Sequence, residues 1–328
     1  MDAGKAEASC GFEILFSRNV PHILEKIYFS LDYKSYLACF EVNRAWNQLL
    51  SSESFQKKFR QLIIEKEDND KTLHKMSDEG NVEEVKRLLS SGGWIDVNCV
   101  GGLNQVTPLI RAACWDHIDV VQVLLNSGAE VDKTDNHGWT ALHVAATYGS
   151  EDLAKLLLGR KADPNKKNRV GMTPLHTFAY NGRRILVKVL LDGGAELSTE
   201  DNNGSTPLHW ASSWGQQDTV KLLLERGSDP NKATKQGMSP IHIAIRSGHK
   251  DVLKILLDGG AQPNKEDEEG QTPLHWAVLK SSQRFREEMV QLLLERGAEP
   301  HKADKRGKTP LQLAKGKGYT DVVQLLTH

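Results

Sequence analysis

Apolar and polar positions follow the same order in successive blocks of about 33 residues along most of the chain. In the block that begins at Thr206, Leu208 and Ala211 recur at helical spacing until a glycine interrupts the pattern. A second group of apolar residues, Val220 with Leu222, Leu223 and Leu224, then precedes another glycine. Each block therefore predicts two short helices joined by a turn, with the second helix ended by a residue suited to a left-handed backbone.

A short motif, Thr-Pro-Leu-His or a close variant, opens each block. Its hydroxyl residue can cap a helix N-terminus, and proline fits the first helical turn because the N–H it lacks has no helical partner there. The motif returns every 33 residues through the middle of the chain, after a first interval of 35 and before a last one of 37. The opening residues are Thr72, Thr107, Thr140, Thr173, Thr206, Ser239, Thr272 and Thr309. These seven or eight units are expected to stack, since one unit cannot bury its apolar face alone.

This motif and its period resemble the ankyrin-repeat family, over residues 72–328. The resemblance implies an all-α solenoid of helix–turn–helix units with β-turn or hairpin tips. It also implies that the motif histidine hydrogen-bonds backbone between neighbouring units. The histidines concerned are His143, His176, His209, His242 and His275. Copies one unit apart are too distant to share a zinc ion, whose ligands lie about 2 Å from the metal, so no metal site is expected.

Two features depart from the repeated pattern. Lys161 occupies the helix-ending slot that glycine holds in the other units, so we expect a strained left-handed backbone there. The stretch 277–290 contains four extra residues, about one helical turn, so its helix can lengthen without changing its inward face. The extra turn around Arg284, Phe285 and Arg286 is interpreted either as a recognition element or as a tolerated surface insertion.

The resemblance also indicates which surface contacts a partner. In ankyrin proteins, partners usually touch the hairpin tips and the ends of the first helices. These groove slots lie one, three and four positions before each motif threonine and seven and eight after it. The residues in these slots, which begin with Val106, are rich in aromatic side chains and methionine, which are enriched at binding hot spots. The predicted groove residues are Trp115, Trp139, Tyr148, Met172, Tyr180, Trp214, Met238 and Arg246.

Two further tryptophans, Trp210 and Trp276, lie four residues after their motif openers and are predicted to pack between helices. Toward the C-terminus the groove slots become charged. The charged positions are Lys235, Glu268, Glu269, Lys305, Arg306, Lys308 and Lys317. An apolar middle beside a charged end predicts an anchor site with an electrostatic rim.

A second helical pattern covers residues 19–60. Pro21 stands at a helix-starting position, and Leu24, Ile27 and Leu31 follow at helical spacing. Two more short helices are predicted downstream. About forty residues bury too little apolar surface to be stable alone, so part of this surface is expected to meet a partner or the first repeat.

Leu31-Asp32, Val42 and Trp46 are spaced as in the F-box family, which this segment resembles. The resemblance implies docking onto the Skp-type linker subunit of a cullin–RING ubiquitin ligase. The implied docking residues are Pro21, Leu24, Ile27, Leu31, Leu37, Val42 and Trp46. The alternative is a helical cap on the open end of the repeats. Residues 61–71 are predicted to be a charged helix end or linker, and residues 1–18 to be mobile.

Charge and composition narrow the classes of function. The 328 residues carry a formal net charge of -1, which predicts no broad attraction to nucleic acid or membrane. Four scattered cysteines without metal-ligand spacing indicate a reduced protein of the cytoplasm or nucleus. Catalytic and phosphate-binding motifs are absent from the sequence, so neither enzyme activity nor a cofactor is expected.

These observations predict a protein-binding adaptor. In the first hypothesis, the F-box-like segment recruits a ligase core and the repeats hold a protein substrate. In the second, the chain is an ankyrin scaffold or inhibitor whose N-terminal helices only cap the repeats. The sequence does not identify the bound protein.

Overall fold

The computed structural model describes residues 53–91, 95–280 and 283–327. The predicted mobile N-terminus and the whole set of F-box-like docking residues, from Pro21 to Trp46, lie outside these ranges. The F-box interpretation therefore stays a prediction based on sequence.

Sixteen α-helices make up the described part of the chain, numbered here in chain order. They are α1 Glu53–Glu79, α2 Val82–Ser90, α3 Pro108–Cys114, α4 Ile118–Asn126, α5 Ala141–Tyr148, α6 Glu151–Gly159, α7 Pro174–Asn181, α8 Arg184–Asp192, α9 Pro207–Ser213, α10 Gln217–Glu225, α11 Pro240–Ser247, α12 Lys250–Asp258, α13 Pro273–Lys280, α14 Gln283–Glu295, α15 Pro310–Lys317 and α16 Thr320–Thr327. These ranges contain no β-strand. Gly101 and Val106 form an isolated antiparallel β-bridge. The predicted all-α solenoid of helix pairs is confirmed.

The described part of the chain divides into two compact units: residues 53–73 belong with 87–91 and 95–96, and residues 74–86 belong with 97–280 and 283–327. In the described part of the first unit, Lys66 pairs with Asp70 at 3.1 Å, and the Asp96 N–H donates to Asp70 at 3.1 Å. Residues 61–71 form the middle of α1, so the interpretation of this stretch as a linker was wrong. Thr72 also lies inside α1 and opens no helix. The reason is local: no proline follows Thr72, and ion pairs one turn apart support a continuous helix.

In the second unit each helix pair folds as its sequence predicts. Thr206 caps α9 in an extended conformation, and its side chain and that of the motif histidine satisfy each other's backbone N–H groups. Leu208 and Ala211 of α9 and Val220 and Leu223 of α10 are completely buried. Equivalent residues are buried in the neighbouring pairs, so the core is one continuous layer along the stack.

Three non-glycine residues have a left-handed backbone within the described ranges. Lys161 has φ 66°, in the slot where Gly128 and Gly227 have 91° and 94°. Gln105 and Asp116 have φ 49° and 57°, in two other slots that glycine holds in neighbouring units. The strained position expected for Lys161 is confirmed, and with it the alignment of the repeats.

The four extra residues lengthen one helix by about a turn, as predicted. Helix α14 has 13 residues, compared with 9 in α12, and its apolar residues Met289, Val290 and Leu293 are buried. Phe285 is half-buried, and the Arg286 guanidinium lies 3.8 Å from the centre of the Tyr319 ring. These contacts favour a packing role for the inserted turn over a freely protruding recognition element.

Candidate protein-binding groove

A ladder of backbone hydrogen bonds aligns the hairpin tips of the second unit. The Arg169 N–H donates to the His137 carbonyl at 2.9 Å, and the Lys235 N–H donates to the Asn203 carbonyl at 3.0 Å. From the tip of Asp135 onward, a side chain in each tip also accepts two N–H groups of its own turn, as Asp201 does from Asn203 and Ser205 at 2.8 Å. The tips are therefore rigid, and the groove slots are held in a row.

The motif histidines connect each unit to the next. In one of them, His176 Nδ1 accepts the Thr173 N–H at 3.1 Å. Nε2 then carries the proton and donates to the Ser205 carbonyl at 3.0 Å, 29 residues further along the chain. Burial lowers the pKa from 6.5 to about 4 for His143, His176, His209 and His242. The neutral rings are structural links, which confirms the role predicted for them.

The predicted groove residues differ in how much surface they offer. Trp115, Tyr148 and Trp214 are 63%, 60% and 51% exposed, so three large rings face solvent. Arg246 is exposed, whereas Trp139, Met172 and Tyr180 are half-buried. Met238 is only 7% exposed and offers almost no surface to a partner. Its side chain lies 3.7 Å from the Arg246 guanidinium, so Met238 supports a groove residue that the partner could reach.

Two side-chain clusters lie along the groove, the first with one aromatic ring and the second with two. In the first, Trp115 donates its indole N–H to Asp78 at 2.9 Å, and the same carboxylate lies 3.8 Å from the Arg111 guanidinium. In the second, the Tyr180 and Trp214 rings meet edge to face, with centroids 4.5 Å apart. Exposed rings held in fixed orientations lose little conformational entropy on binding.

Trp210 lies beneath the second cluster, as its predicted packing role requires. Its indole N–H donates to Asp201 at 3.0 Å, and its ring centroid lies 6.1 Å from that of Tyr180. Trp276 makes the corresponding bond to Asp267 at 2.8 Å. Both half-buried tryptophans therefore connect a first helix to the turn that precedes it.

An open cavity of about 490 Å³ lies at the start of the groove. Its lining combines predicted groove residues with others that were not predicted. Leu103 was not predicted, although it lies in a groove slot, and it is 99% exposed. The other lining residues are Asn104, Val106, Ile110, Arg111, Cys114, Asp135, His137, Trp139 and Val144. The signal for Leu103 was present, since polar residues hold most equivalent tip positions.

Two features that would point to other classes of function are absent from the part of the chain that the structure describes. The described ranges contain no cluster of three His, Cys, Asp or Glu side chains that could hold a metal ion. They also contain no helix long and apolar enough to cross a membrane. Burial raises the pKa of the Cys114 thiol in the cavity wall, which disfavours the reactive thiolate.

A family profile described as ankyrin repeats (3 copies) matches residues 44–135, 73–168, 142–234 and 227–304. The chain belongs to the ankyrin-repeat family. Repeats of this family bind other proteins, and protein–protein interaction is the function that they imply here. Proteins with this fold are typically non-enzymatic binding scaffolds.

Individual relatives share the repeats but not their full length. The chain is 40% identical over 72 residues to mouse ankyrin repeat and SAM domain-containing protein 6, a match covering 22% of this chain and 8% of that protein. It is 34% identical over 93 residues to mouse NF-kappa-B inhibitor delta, covering 27% and 28%. Whole-protein activities of these relatives do not transfer directly.

Two solved structures match a larger part of the chain. The ankyrin repeat domain of Bcl-3, a member of the IkappaB protein family, aligns with a TM-score of 0.61 and 29% identity over 69% of this chain and all of that one. The human ASB11 ankyrin repeat domain aligns with a TM-score of 0.60 and 30% identity, over 70% and 98%. Both likenesses concern ankyrin repeat domains.

Proposed function

We propose that this ankyrin protein is a substrate receptor, in which the groove holds a polypeptide and the N-terminal segment docks a Skp-type linker of a cullin–RING ligase. The row of oriented, exposed rings in the groove carries the first half of the proposal. Aromatic side chains are the anchors that dominate binding energy at interfaces. A surface that exposes three of them within one groove offers a partner several anchor points.

The ligase link rests on the sequence pattern of Leu31, Val42 and Trp46. A receptor of this kind needs no catalytic group, because it acts by raising the local concentration of substrate at the ligase. The proposal therefore fits a groove without catalytic chemistry and a segment with F-box-like spacing. The exposed apolar residues expected in such a segment would be covered by the linker.

Co-purification with a purified Skp-type linker tests the ligase half. We expect micromolar or tighter binding by the full chain, lost in Leu31→Asp and in Trp46→Ala. The control is Trp214→Ala, which changes the groove and should leave linker binding intact. If the full chain does not bind the linker at micromolar concentration, the ligase half of the proposal is wrong.

The second candidate is an ankyrin inhibitor or scaffold without a ligase link. The similarity to mouse NF-kappa-B inhibitor delta and to the Bcl-3 ankyrin repeat domain favours it, since the first is an inhibitor by name and Bcl-3 is a member of the IkappaB protein family. Deleting residues 1–52 separates the two candidates. Under the ligase proposal, the deletion removes linker binding and leaves groove partners bound. Under the alternative, the full chain does not bind the linker, and the deletion lowers the melting temperature of the repeats.

A further inference from the structure

The groove slots change character along the stack. Lys, Arg, Asp and Glu are absent from the five groove slots of three repeats, those opened by Thr107, Thr140 and Thr206. In the repeat opened by Thr173, the one charged slot residue is Arg169. In the last unit, opened by Thr309, four of the five slots are basic. These are Lys305, Arg306, Lys308 and Lys317, and all four are exposed.

Most of this positive charge is not neutralised by the protein itself. Arg306 lies 3.5 Å from Glu269, an exposed and therefore weak ion pair. Lys305 forms no ion pair within 4 Å, although its charge helps to lower the pKa of Glu266. Among the described residues, Lys308, Lys317 and Lys315, which lies on the same helix end as Lys317, form no ion pair. We call these four lysines the basic end of the groove.

The opposite end of the groove is apolar. The 490 Å³ cavity lies there, with the fully exposed Leu103 on its rim and Trp139 in its wall. A cavity of this size can take a large apolar side chain of a partner. One partner that touches both ends must therefore combine an apolar anchor with negative charge.

We infer that the groove binds an extended acidic polypeptide segment that places a large apolar side chain in the Leu103–Trp139 cavity and a cluster of Asp or Glu on the basic end. This inference rests on the proposed substrate-binding function and specifies its substrate class. The chain's own net charge of -1 and the apolar cavity favour a polypeptide over a nucleic acid, whose affinity comes from many phosphate contacts.

The repeat geometry sets the spacing between anchor and acidic cluster. Five steps separate the unit of Thr140 from the unit of Thr309. Packed helices lie about 8–10 Å apart, so five steps span roughly 40–50 Å. An extended chain advances about 3.3 Å per residue, which places the acidic cluster roughly 12–15 residues from the anchor.

Selection from a display library of random peptides of about 25 residues tests this spacing, since such peptides can cover the span. The full chain is the target, and peptides that also bind the Trp139→Ala variant are removed. We expect the remaining peptides to share one large apolar residue and an Asp/Glu cluster at that separation. Groove-dependent peptides without acidic enrichment would overturn the inference while leaving substrate binding by the groove intact.

Charge reversal then tests the basic end with the best selected peptide. Lys308→Glu, Lys315→Glu and Lys317→Glu together should weaken binding about tenfold and flatten its salt dependence. The control reverses three exposed lysines on second helices, Lys188, Lys221 and Lys254, with the same change in net charge. It should change affinity less than about twofold, because it lies outside the groove.

Three results would refute the assignment: equal losses in the two triple variants, an unchanged affinity in the first, or tighter binding of a single-stranded oligonucleotide of similar length. If the Glu variant melts at a lower temperature than the wild type, the Gln triple variant replaces it, with an expected loss of about threefold. Linker co-purification is measured separately, so failure of the ligase link and failure of this inference are distinguishable.

Discussion

Acidification should weaken the repeat stack through its buried histidines. His176 accepts the Thr173 N–H and donates to the Ser205 carbonyl, and burial lowers its pKa from 6.5 to about 4. In the unfolded chain the same imidazole takes up a proton below about pH 6.5. The folded state resists that proton down to about pH 4, so stability is complete above pH 6.5 and falls as the pH is lowered through this window.

The size of the loss follows from the pKa difference. At pH 5, about 1.5 units below the unfolded pKa, each such histidine destabilises the fold by about 2 kcal/mol. Four histidines share this environment: His143, His176, His209 and His242. If the stack unfolds as one unit, the sum is about 8 kcal/mol, comparable to the whole stability of a typical domain.

The His176→Gln variant isolates the pH-dependent contribution of one histidine to the free energy of unfolding. The last unit shows that glutamine can serve the same cap, because Gln312 accepts the Thr309 N–H at 3.2 Å. At pH 7.5 the variant should be less stable by about 1–2 kcal/mol, since the Ser205 carbonyl loses one of its two donors and keeps only the Asp201 N–H. At pH 5 the gap should close by about 2 kcal/mol, because glutamine takes up no proton.

Free energies of unfolding from urea titrations at pH 7.5, 6 and 5 give both pH profiles. Val220→Ala is the control, since it removes a buried side chain and no titrating group. Its profile should run parallel to that of the wild type, displaced by about 1–3 kcal/mol. If the His176→Gln profile is also parallel to the wild type, the imidazole does not titrate as we argue.

Four other substitutions test the backbone and the groove. Lys161→Gly should raise stability by about 1 kcal/mol, measured by thermal melting, because it relieves a left-handed residue; a lower melting temperature would contradict this. Gly227→Ala should lower the free energy of unfolding by about 1 kcal/mol, since nothing lies near the added methyl. Gly237→Ala should lower it by about 2–4 kcal/mol, because its methyl would collide with the backbone nitrogen of Glu268. Equal losses in urea titrations would show that the collision is relieved. Trp214→Ala should lower the melting temperature by only a few degrees yet weaken a groove-bound peptide about tenfold or more, so an unchanged Kd measured by calorimetry would exclude Trp214 from the interface.

The repeat fold was predictable because its signals are local. Proline, threonine and histidine within four positions specify each cap, and a fixed period specifies how the units stack. The same locality explains the correct expectations for Lys161 and for the lengthened helix α14. Each follows from comparing one position, or one interval, with its counterparts in the other units.

The sequence was less informative where exposure depends on neighbouring units. Met238 occupies a groove slot like Trp139 but is only 7% exposed, with its side chain beside Arg246, and the slot number alone does not separate the two. The cavity beside Leu103 also forms only where the repeats opened by Thr107 and Thr140 meet. Residues 61–71 were misjudged for another reason: their charges suggested a solvated linker, although Glu, Lys and Gln favour helix almost as strongly as apolar residues do.

Each unit separates the residues that build the stack from the residues that recognise a partner. The tip ladder runs through backbone atoms, and the histidine link ends on a backbone carbonyl, so neither requires a particular side chain at the slot before the motif threonine. That slot accordingly holds Trp139, Met172, Ser205 and Lys308 in different repeats. The carbonyls of Met172, Ser205 and Lys308 each accept from the histidine of the preceding repeat. The Trp139 carbonyl, which follows a repeat without that histidine, accepts from the Asp135 N–H at 3.0 Å. Because the scaffold tolerates every one of these side chains, their order from apolar to basic along the groove is free to match a ligand, and it is this order that the acidic-polypeptide inference interprets.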